Sequence, residues 1–263
     1  MQGMAKLAFV TGASSGIGQA LSVRLYQAGY RLALVARRAD DLRAWARAEG
    51  WQPERCQVYP ADVEQIDSVV AAARACIVEQ GVPDLVLACA GISVGVDTAR
   101  REDLDVMASV FAINNVGMAA TFHPFLDPMR RRGSGTLVGI ASVNGIRGFP
   151  GHGAYCASKA AVISYCESLR VEMRGTGVRV VTISPGYVDT PLTQSNRYSM
   201  PFLMPASAFA DRALIAIEAG ASYCVIPWQM AIVAAALHMM PNRMFDRLFA
   251  GRPRKRRADE ASG

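Results

Sequence analysis

The amino-acid sequence predicts one α/β domain in which helices cover both faces of a doubly wound parallel sheet of about seven strands. Short apolar runs alternate with longer segments that carry apolar residues at helical spacing. In addition, 51% of the 263 residues are hydrophobic, which is enough for one buried core. We expect the main domain over residues 1–227, a C-terminal helical extension over 228–250 and a basic, disordered tail over 251–263.

Seven apolar runs are typical of strands that are buried on both faces of a parallel sheet. The runs cover residues 7–11, 31–36, 57–60, 85–88, 136–140, 179–184 and 223–226. Glycine is common just after a helix, because it adopts the left-handed backbone conformation easily. We therefore expect the first helix to end at Gly29 and the long helix that contains Tyr155 to end at Gly175 or Gly177.

A glycine-rich loop, Thr-Gly-Ala-Ser-Ser-Gly-Ile-Gly at residues 11–18, follows the first strand and precedes a helical segment. Glycines permit a tight turn and a close backbone approach, and the free N–H groups of a helix N-terminus favour a pyrophosphate. An ordinary strand-to-helix turn is the alternative interpretation. The loop residues expected to bind a dinucleotide are Gly12, Ser14, Ser15, Gly16, Ile17 and Gly18.

Three residues with proton-transfer chemistry, Ser142, Tyr155 and Lys159, lie close together in the chain. Tyr155 and Lys159 are four residues apart and therefore share one helix face. We expect the ammonium to lower the tyrosine pKa from about 10 by stabilising the phenolate. With the Ser142 hydroxyl, such a group can polarise a carbonyl oxygen and protonate it. The hydride would then come from the dinucleotide.

These motifs, together with Pro-Gly-Tyr-Val-Asp-Thr at residues 185–190, resemble the short-chain dehydrogenase/reductase family in order and in spacing. The resemblance covers about residues 6–227. It implies a single-domain Rossmann fold and an oxidoreductase that passes a hydride between a nicotinamide and a carbonyl or alcohol. It also implies a homo-oligomer, a dimer or tetramer, because relatives commonly associate through long helices and the last strand.

The resemblance assigns a fourth catalytic residue, Asn114, in the segment Asn-Asn-Val-Gly at residues 114–117. It implies that Asn114 holds a water that links Lys159 to solvent. Asn115 is the neighbouring candidate, and an ordinary asparagine on a helix face is the alternative interpretation. The family's spacing to Gly117 favours Asn114.

Other cofactor contacts are implied at the ends of the third, fourth and sixth strands. Asp62 and Val63 would border the adenine, although a turn aspartate that caps the next helix has the same sequence pattern. The nicotinamide side is assigned to Pro185, Gly186, Val188 and Thr190, with a proline-glycine turn as the alternative. Ala90 and Gly91 match the family pattern after the fourth strand, whereas Ala88 and Cys89 replace its two usual amides.

The end of the second strand indicates which nicotinamide cofactor is preferred. Ala36 stands where an NAD enzyme carries a carboxylate for the ribose, and Arg37 and Arg38 follow it. Guanidinium groups bind a 2′-phosphate well, so the sequence favours NADP(H) over NAD(H). The alternative is that both arginines face water.

Composition excludes several other classes of protein. The six cysteines have neither disulfide nor metal-ligand spacing, and the three histidines are scattered, so we expect no metal site and no hydrolase triad. We identify no secretory signal and therefore expect a cytoplasmic protein. The net charge is +6, and residues 241–263 contribute +4 of it with seven basic and three acidic residues. No basic face with base-reading residues is evident, so we expect no nucleic-acid partner.

The segment over residues 191–205 occupies the position of the family's substrate lid. Its large side chains are Met200, Phe202, Leu203 and Met204. They favour an irregular apolar ligand, although packing of the lid onto the domain is an equally good interpretation.

The C-terminal region extends beyond the family pattern. Residues 228–240 are apolar but too few to span a bilayer. Next, Met244, Phe245, Leu248 and Phe249 fall on one side of a helix with Arg243 and Arg247 on another, before Arg-Lys-Arg-Arg at residues 254–257. This pattern fits peripheral contact with the inner membrane surface, and it fits equally well a helix that covers a dimer or closes the pocket.

The function predicted from the sequence is an NADPH-dependent carbonyl reductase with a small, apolar carbonyl or alcohol substrate. Two alternatives remain open at this point. One is an NAD-dependent alcohol dehydrogenase of the same fold. The other is a non-catalytic, membrane-associated nucleotide-binding module.

Overall fold

The structure is a computed structural model that describes residues 5–194, 196, 199–251, 253–257 and 259. The strands in this part of the chain are β1 (Leu7–Thr11), β2 (Arg31–Ala36), β3 (Cys56–Pro60), β4 (Leu85–Ala88), β5 (Gly135–Ile140), β6 (Val178–Pro185), β7 (Val188–Asp189), β8 (Met204–Pro205) and β9 (Tyr223–Ile226). Seven of these described strands form one parallel sheet in the order β3-β2-β1-β4-β5-β6-β9, and β7 pairs with β8.

Helices cover both faces of the sheet. They are α1 (Gly16–Gln27), α2 (Ala39–Ala48), α3 (Ile66–Gln80), α4 (Arg101–Phe111), α5 (Gly117–Arg132), α6 (Gly153–Glu172), α7 (Pro191–Gln194), α8 (Ala206–Glu218), α9 (Trp228–Met239) and α10 (Asn242–Phe249). A π-helical turn, Ala112–Val116, joins α4 to α5, and a 3₁₀ turn, Val143–Gly145, precedes α6.

The predicted fold class, a doubly wound parallel sheet, is confirmed. The seven predicted strands are present with ends that agree to within one residue. The first helix ends just before Gly29, as expected. The long helix α6 ends at Glu172, earlier than Gly175 or Gly177, because the chain already leaves the helix after Met173 and both glycines lie in the loop that follows.

Two apolar clusters, one on each face of the sheet, form the core. Alternate residues of a strand point to opposite faces, so in β1 Val10 joins one cluster and Phe9 joins the other. Leu21 of α1 and Phe209 of α8 complete the first cluster. Phe125 of α5 packs edge-to-face on Phe9 at 4.9 Å between ring centroids in the second.

One helical run, Arg101–Arg132, is long and apolar enough to cross a membrane when judged by length and composition alone. It consists of α4, the π-helical turn and α5. In the structure, Phe122 and Met129 of this run are fully buried against the sheet. Packing in the core therefore accounts for part of its apolar composition.

The order of the strands in the sheet indicates where a ligand-binding crevice lies. The carboxyl ends of parallel strands meet at one edge, and the order of connection reverses between β1 and β4. In folds of this kind the crevice outside such a switch point binds ligands. Here Thr11 at the end of β1 lies in register with Ala88 at the end of β4, so the loops that follow both strands face each other.

The C-terminal extension is anchored by Arg147, which precedes α6. Its Nη1 donates hydrogen bonds to the carbonyls of Leu237 (2.9 Å) and Met240 (2.7 Å), and its Nη2 donates to Oδ1 of Asn242 (2.7 Å). The guanidinium also lies 4.4 Å from the centroid of the Phe245 ring. Arg147 therefore satisfies carbonyls at the C-terminus of α9 that have no partner within the helix.

The apolar side predicted for α10 is divided between two environments. Phe245 is buried, and Phe249 packs against Phe149 at 5.1 Å between centroids. Met244 and Leu248 remain largely exposed. The division of the chain at residues 227 and 228 stays a prediction.

The tail differs from the expected disordered segment wherever it is described. The Gly95 N–H donates a hydrogen bond of 2.9 Å to the Arg256 carbonyl, and Gly95 forms a β-bridge with Arg257. Lys255 is buried. Charge explains the difference, because the basic tail meets acidic residues on the domain, Asp103 among them. The predicted tail residues 252, 258 and 260–263 lie outside the described residues.

Candidate active site

A cleft of about 370 Å³ opens at the carboxyl edge of the sheet, and the glycine-rich loop forms one of its walls. Gly12 has a φ of 66°, and a Cβ at this position would lie 2.7 Å from the backbone nitrogen of Ala90. A Cβ on Gly18 would overlap the carbonyl oxygen of Gly12. The loop can therefore approach β4 this closely only with glycine at both positions. This close packing leaves an open cradle at the N-terminus of α1, which fits a pyrophosphate.

All of the residues predicted to bind the cofactor line this cleft. They are Gly12, Ser14, Ser15, Gly16, Ile17, Gly18, Arg37, Arg38, Asp62, Val63, Ala90, Gly91, Tyr155, Lys159, Pro185, Gly186, Val188 and Thr190. Ser142 lines it as well. The structure thus brings together residues that are up to 178 positions apart in the chain, from Gly12 to Thr190.

One end of the cleft is basic and open to solvent. The side chains of Arg37 and Arg38 are 70% and 78% exposed. Arg37 lies 4.0 Å from Asp62, and Arg38 lies 3.0 Å from Asp41 of α2. Such exposed ion pairs are weak, so both guanidinium groups can turn toward an anion in the cleft.

Asp62 closes a turn and does not cap the next helix. Its Oδ1 accepts a hydrogen bond of 3.1 Å from the Glu64 N–H, whereas the residue that precedes α3 is Gln65. The capping alternative for Asp62 therefore does not describe its geometry.

Ser142, Tyr155 and Lys159 meet at the other end of the cleft, where β5 ends and α6 passes. The Lys159 Nζ lies 5.7 Å from the centroid of the Tyr155 ring and donates a hydrogen bond of 2.8 Å to the Ile140 carbonyl. The Ser142 side chain is near enough to the Tyr155 hydroxyl to lower the pKa of Tyr155. The ring and the amine thus face the same space, as the four-residue spacing predicts.

The protonation of the pair differs from the prediction. Burial raises the pKa of Tyr155 to about 12, and the hydrogen bond with Ser142 offsets only part of this rise. Burial also lowers the pKa of Lys159 to about 8. The expectation that Lys159 depresses the tyrosine pKa is therefore wrong for this arrangement. Loss of hydration disfavours the charged form of each group and is the largest cause of both pKa shifts.

Asn114 lies behind the cleft, in the π-helical turn. Its Oδ1 accepts a hydrogen bond of 2.9 Å from the Ile92 N–H, and its Nδ2 donates to the Ile92 carbonyl (3.0 Å) and to Ser158 Oγ (2.9 Å). The side chain is thus engaged with protein groups and positions the segment after β4. A Cβ on Gly91 would lie 3.1 Å from Asn114 Oδ1 and 3.5 Å from Lys159 Nζ, so Asn114 is close to the lysine. Its role in a water relay stays a prediction.

Sequence reasoning missed Ser158, which links the parts of the site. Its Oγ donates a hydrogen bond of 2.8 Å to the Tyr155 carbonyl and accepts one from Asn114. Asn115, the alternative to Asn114, donates to the Ser158 carbonyl at 2.8 Å. A serine one position before Lys159 was the signal in the sequence, but its partner Asn114 lies 44 residues away.

A smaller cavity adjoins the cleft beside Ser142 and Tyr155, and a second cavity adjoins the first. The first, of about 30 Å³, is lined by Ser142, Tyr155, Tyr187, Asn196 and Lys255 among others. The second, of about 110 Å³, is more apolar, and Phe149, Phe249, Tyr187 and Pro253 are among its lining residues. The C-terminal extension and tail therefore form part of the walls of these two cavities.

The predicted lid side chains do not line any of these three cavities. Phe202 and Leu203 are 49% and 45% exposed, and Met204 is buried in β8, which pairs with β7. The expectation that Met200, Phe202, Leu203 and Met204 surround the ligand does not describe this structure. The packing alternative holds for Met204.

Comparisons with known proteins agree with this geometry. A family model described as short chain dehydrogenase matches residues 6–200. An uncharacterized oxidoreductase of Myxococcus xanthus is 39% identical over 244 residues, covering 92% of this chain and 95% of that protein. A dehydrogenase/reductase SDR family protein 7-like of Anopheles gambiae is 33% identical over 193 residues, covering 72% of this chain and 61% of that protein.

A solved structure has the same fold. The crystal structure of a short chain dehydrogenase/reductase from Burkholderia phymatum in complex with NAD matches with a TM-score of 0.79 at 24% identity. The match covers 89% of this chain and 93% of that one. A parallel sheet with a glycine-rich turn at its switch point defines the class of Rossmann-fold proteins. Within that class, this chain belongs to the short-chain dehydrogenase/reductase family of oxidoreductases.

The packing of the glycine loop yields a first prediction. Gly12→Ala should lower the affinity for a nicotinamide dinucleotide at least about tenfold, because the added Cβ meets the Ala90 backbone and the φ of 66° is strained for alanine. Fluorescence titration of the reduced dinucleotide measures the effect. Gly148→Ala is the matched control, since a Cβ there meets nothing within 4 Å. Equal affinity of the two variants would contradict the prediction.

Proposed function

We propose that this protein is an NADPH-dependent carbonyl reductase that converts a ketone or aldehyde to an alcohol. The observation that carries the proposal is the junction of two features in one cleft. The glycine-rich cradle lies at one end, and the hydroxyls of Ser142 and Tyr155 lie with Lys159 at the other. A dinucleotide bound along the cleft would place its nicotinamide beside groups that can polarise and protonate a carbonyl oxygen.

The residues of the chain would act as binding and proton-transfer groups. A nicotinamide supplies the hydride when it is bound. Tyr155 is neutral near pH 7 because its pKa is raised to about 12, so it carries the proton that the nascent alkoxide needs. Ser142 would donate a hydrogen bond to the same oxygen. Lys159, whose pKa of about 8 leaves it mostly charged at pH 7, would stabilise the phenolate that Tyr155 becomes.

Asn114 and Ser158 would act as positioning residues that hold α6 in place. Their hydrogen bonds connect the segment after β4 with α6, which carries both Tyr155 and Lys159. In this proposal Asn114 also leads the proton path from Lys159 to solvent, as the family resemblance implies.

Removal of the tyrosine hydroxyl tests the proposed chemistry. Tyr155→Phe should lower kcat for ketone reduction at least about 100-fold, since general acid catalysis contributes this much or more. The dissociation constant for NADPH should stay within about twofold, because the ring itself is retained. Loss of nicotinamide absorbance with a panel of ketones and aldehydes measures turnover. Tyr165→Phe, on an exposed part of the same helix, is the control, and near-normal turnover of Tyr155→Phe would refute the mechanism.

The preference for NADP(H) is part of the proposal and rests on charge. Ala36 contributes no carboxylate at the end of β2, and Arg37 and Arg38 border the same end of the cleft. Guanidinium groups pair with phosphate oxygens through two parallel hydrogen bonds. The Burkholderia phymatum relative was solved with NAD, which makes NAD the competing assignment. Under that assignment the enzyme would work as an NAD-dependent alcohol dehydrogenase.

The two arginines provide the test of cofactor choice. Arg37→Gln combined with Arg38→Gln should raise KM for NADPH about tenfold or more and leave KM for NADH unchanged, since only NADPH carries the 2′-phosphate. Steady-state kinetics with both cofactors give the two constants. Arg47→Gln removes the same charge from an exposed position of α2 and should change neither. A wild-type preference for NADH would overturn the assignment.

The remaining parts of the proposal concern partners and location. We propose a homo-oligomer in the cytoplasm, with peripheral membrane contact as the competing use of the C-terminal extension. Large apolar side chains are exposed there, namely Trp228, Ile232, Met239, Met244 and Leu248. The tail supports membrane contact less well than its composition suggests, because Lys255 and Arg257 are drawn against the domain and away from a lipid surface.

A double variant distinguishes the two uses of this surface. Met239→Gln with Met244→Gln should abolish self-association of the protein in light scattering if the surface joins two copies, because both side chains are exposed and apolar. Sedimentation with anionic liposomes should show no binding by either form. Liposome binding by the wild type that the variant loses would favour the membrane role instead.

A further inference from the structure

The described tail residues 253–257, here called the tail strap, cross the substrate side of the site. At one end, the Gly95 N–H donates to the Arg256 carbonyl at 2.9 Å. A Cβ on Gly95 would lie 2.6 Å from that carbonyl oxygen and would also overlap the carbonyl of Lys255. Any side chain at residue 95 would therefore clash with the strap, and glycine avoids this clash.

A buried ion pair anchors the strap. The Arg257 Nε lies 2.8 Å from Asp103 Oδ2, with the two side chains 12% and 4% exposed. Asp103 also accepts a hydrogen bond of 2.6 Å from the Asp97 N–H. Together, Arg257 and this N–H hold the pKa of the Asp103 carboxyl below its usual range. Removal of either partner of such a pair is costly, so the strap has a defined place on the domain.

The strap places Lys255 at the substrate cavity. Lys255 is 7% exposed, and its Nζ donates hydrogen bonds to the Leu192 carbonyl (3.2 Å) and to Asn196 Oδ1 (2.6 Å). The cavity that it lines is also lined by Ser142 and Tyr155. A cation therefore lines the same cavity as the groups that would hold the reacting carbonyl.

The other basic group that lines this cavity is His152. Burial, together with the charge of Lys255, lowers the pKa of His152 to about 4, so the imidazole is neutral near pH 7. The positive charge on this side of the cavity therefore comes from Lys255. An anionic ligand stabilises a buried ammonium more than a neutral ligand does, because the anion compensates for the hydration that the charge has lost.

We propose that Lys255 determines substrate specificity by binding an anionic group, a carboxylate or a phosphate, on the ketone or secondary alcohol. This rests on the function proposed above. The cavity of about 30 Å³ holds little more than a water molecule. The anion would therefore take the place of Asn196 Oδ1 and the Leu192 carbonyl as the acceptor of the ammonium. The adjoining apolar cavity beside Phe149 and Phe249 would receive the rest of the substrate.

Two matched pairs of ketones test the proposal. Levulinate is compared with its neutral methyl ester, and hydroxyacetone phosphate with hydroxyacetone. Lys255→Gln should raise KM for the preferred anionic ketone about tenfold or more, with kcat changed less than about threefold, and should leave KM for the neutral partner unchanged. The pair that responds distinguishes a carboxylate from a phosphate. Arg254→Gln removes the same charge one residue earlier, on a side chain that is 63% exposed, and should have no effect.

Two further variants separate charge from shape. Lys255→Arg keeps the charge and should retain most of the preference for the anionic ketone. Gly95→Ala displaces the strap through contact with the Arg256 carbonyl and should lose the preference as Lys255→Gln does. An equal effect of Lys255→Gln on the charged and neutral ketones, or a wild-type preference for both neutral partners, would overturn the proposal.

Calorimetric binding of levulinate and hydroxyacetone phosphate keeps this test separate from the reductase proposal. If wild type binds one of these anions and Lys255→Gln does not, but neither ketone is turned over with NADPH, the proposed function fails and the anion site stands. If neither anion binds the wild type in the presence of NADP⁺, which cannot reduce the ketone, the anion site is refuted, whatever the turnover of neutral ketones.

Discussion

The hydrogen bond from the buried ammonium of Lys159 to the Ile140 carbonyl connects the elements of the site. Lysine is rarely buried, because its charge loses hydration. Here the side chain starts on α6 and ends at the last residue of β5, close to Asn114 in the π-helical turn and to Gly91 after β4. One desolvated cation therefore joins α6 to the end of β5, beside the π-helical turn and the segment after β4.

Burial also determines the protonation states of Tyr155 and Lys159. Attraction between a phenolate and an ammonium would lower the tyrosine pKa, but loss of hydration acts in the opposite direction and is the larger effect at Tyr155. The result is a phenol that keeps its proton near neutrality, next to a lysine that is mostly charged at pH 7 because its pKa is about 8. In the proposed function this phenol would give its proton to an alkoxide.

Local sequence patterns predicted the strands and the residues that line the cleft well. They predicted the segments that surround the cleft poorly. Both ends of β4 were predicted correctly, because a short apolar run between polar segments is typical of a buried strand. The glycine loop and the Ser142–Tyr155–Lys159 group were correctly expected to share one cleft, since parallel strands end at a common edge. The end of α6, the partners of Asn114 and the position of residues 200–204 were not predicted. Each of these depends on contacts with residues far away in the chain.

By itself, the sequence determined the order of strands and helices and placed phosphate-binding and proton-transfer groups at the ends of particular strands. Both properties follow from short-range periodicity and spacing, which a chain carries wherever it folds. Only the tertiary structure decided that burial raises the pKa of Tyr155 above its ordinary value and that the basic tail returns to the cavity beside Ser142 and Tyr155. Hydration is lost only when the surrounding elements assemble, and Arg257 meets Asp103 only after the chain has folded across 154 residues.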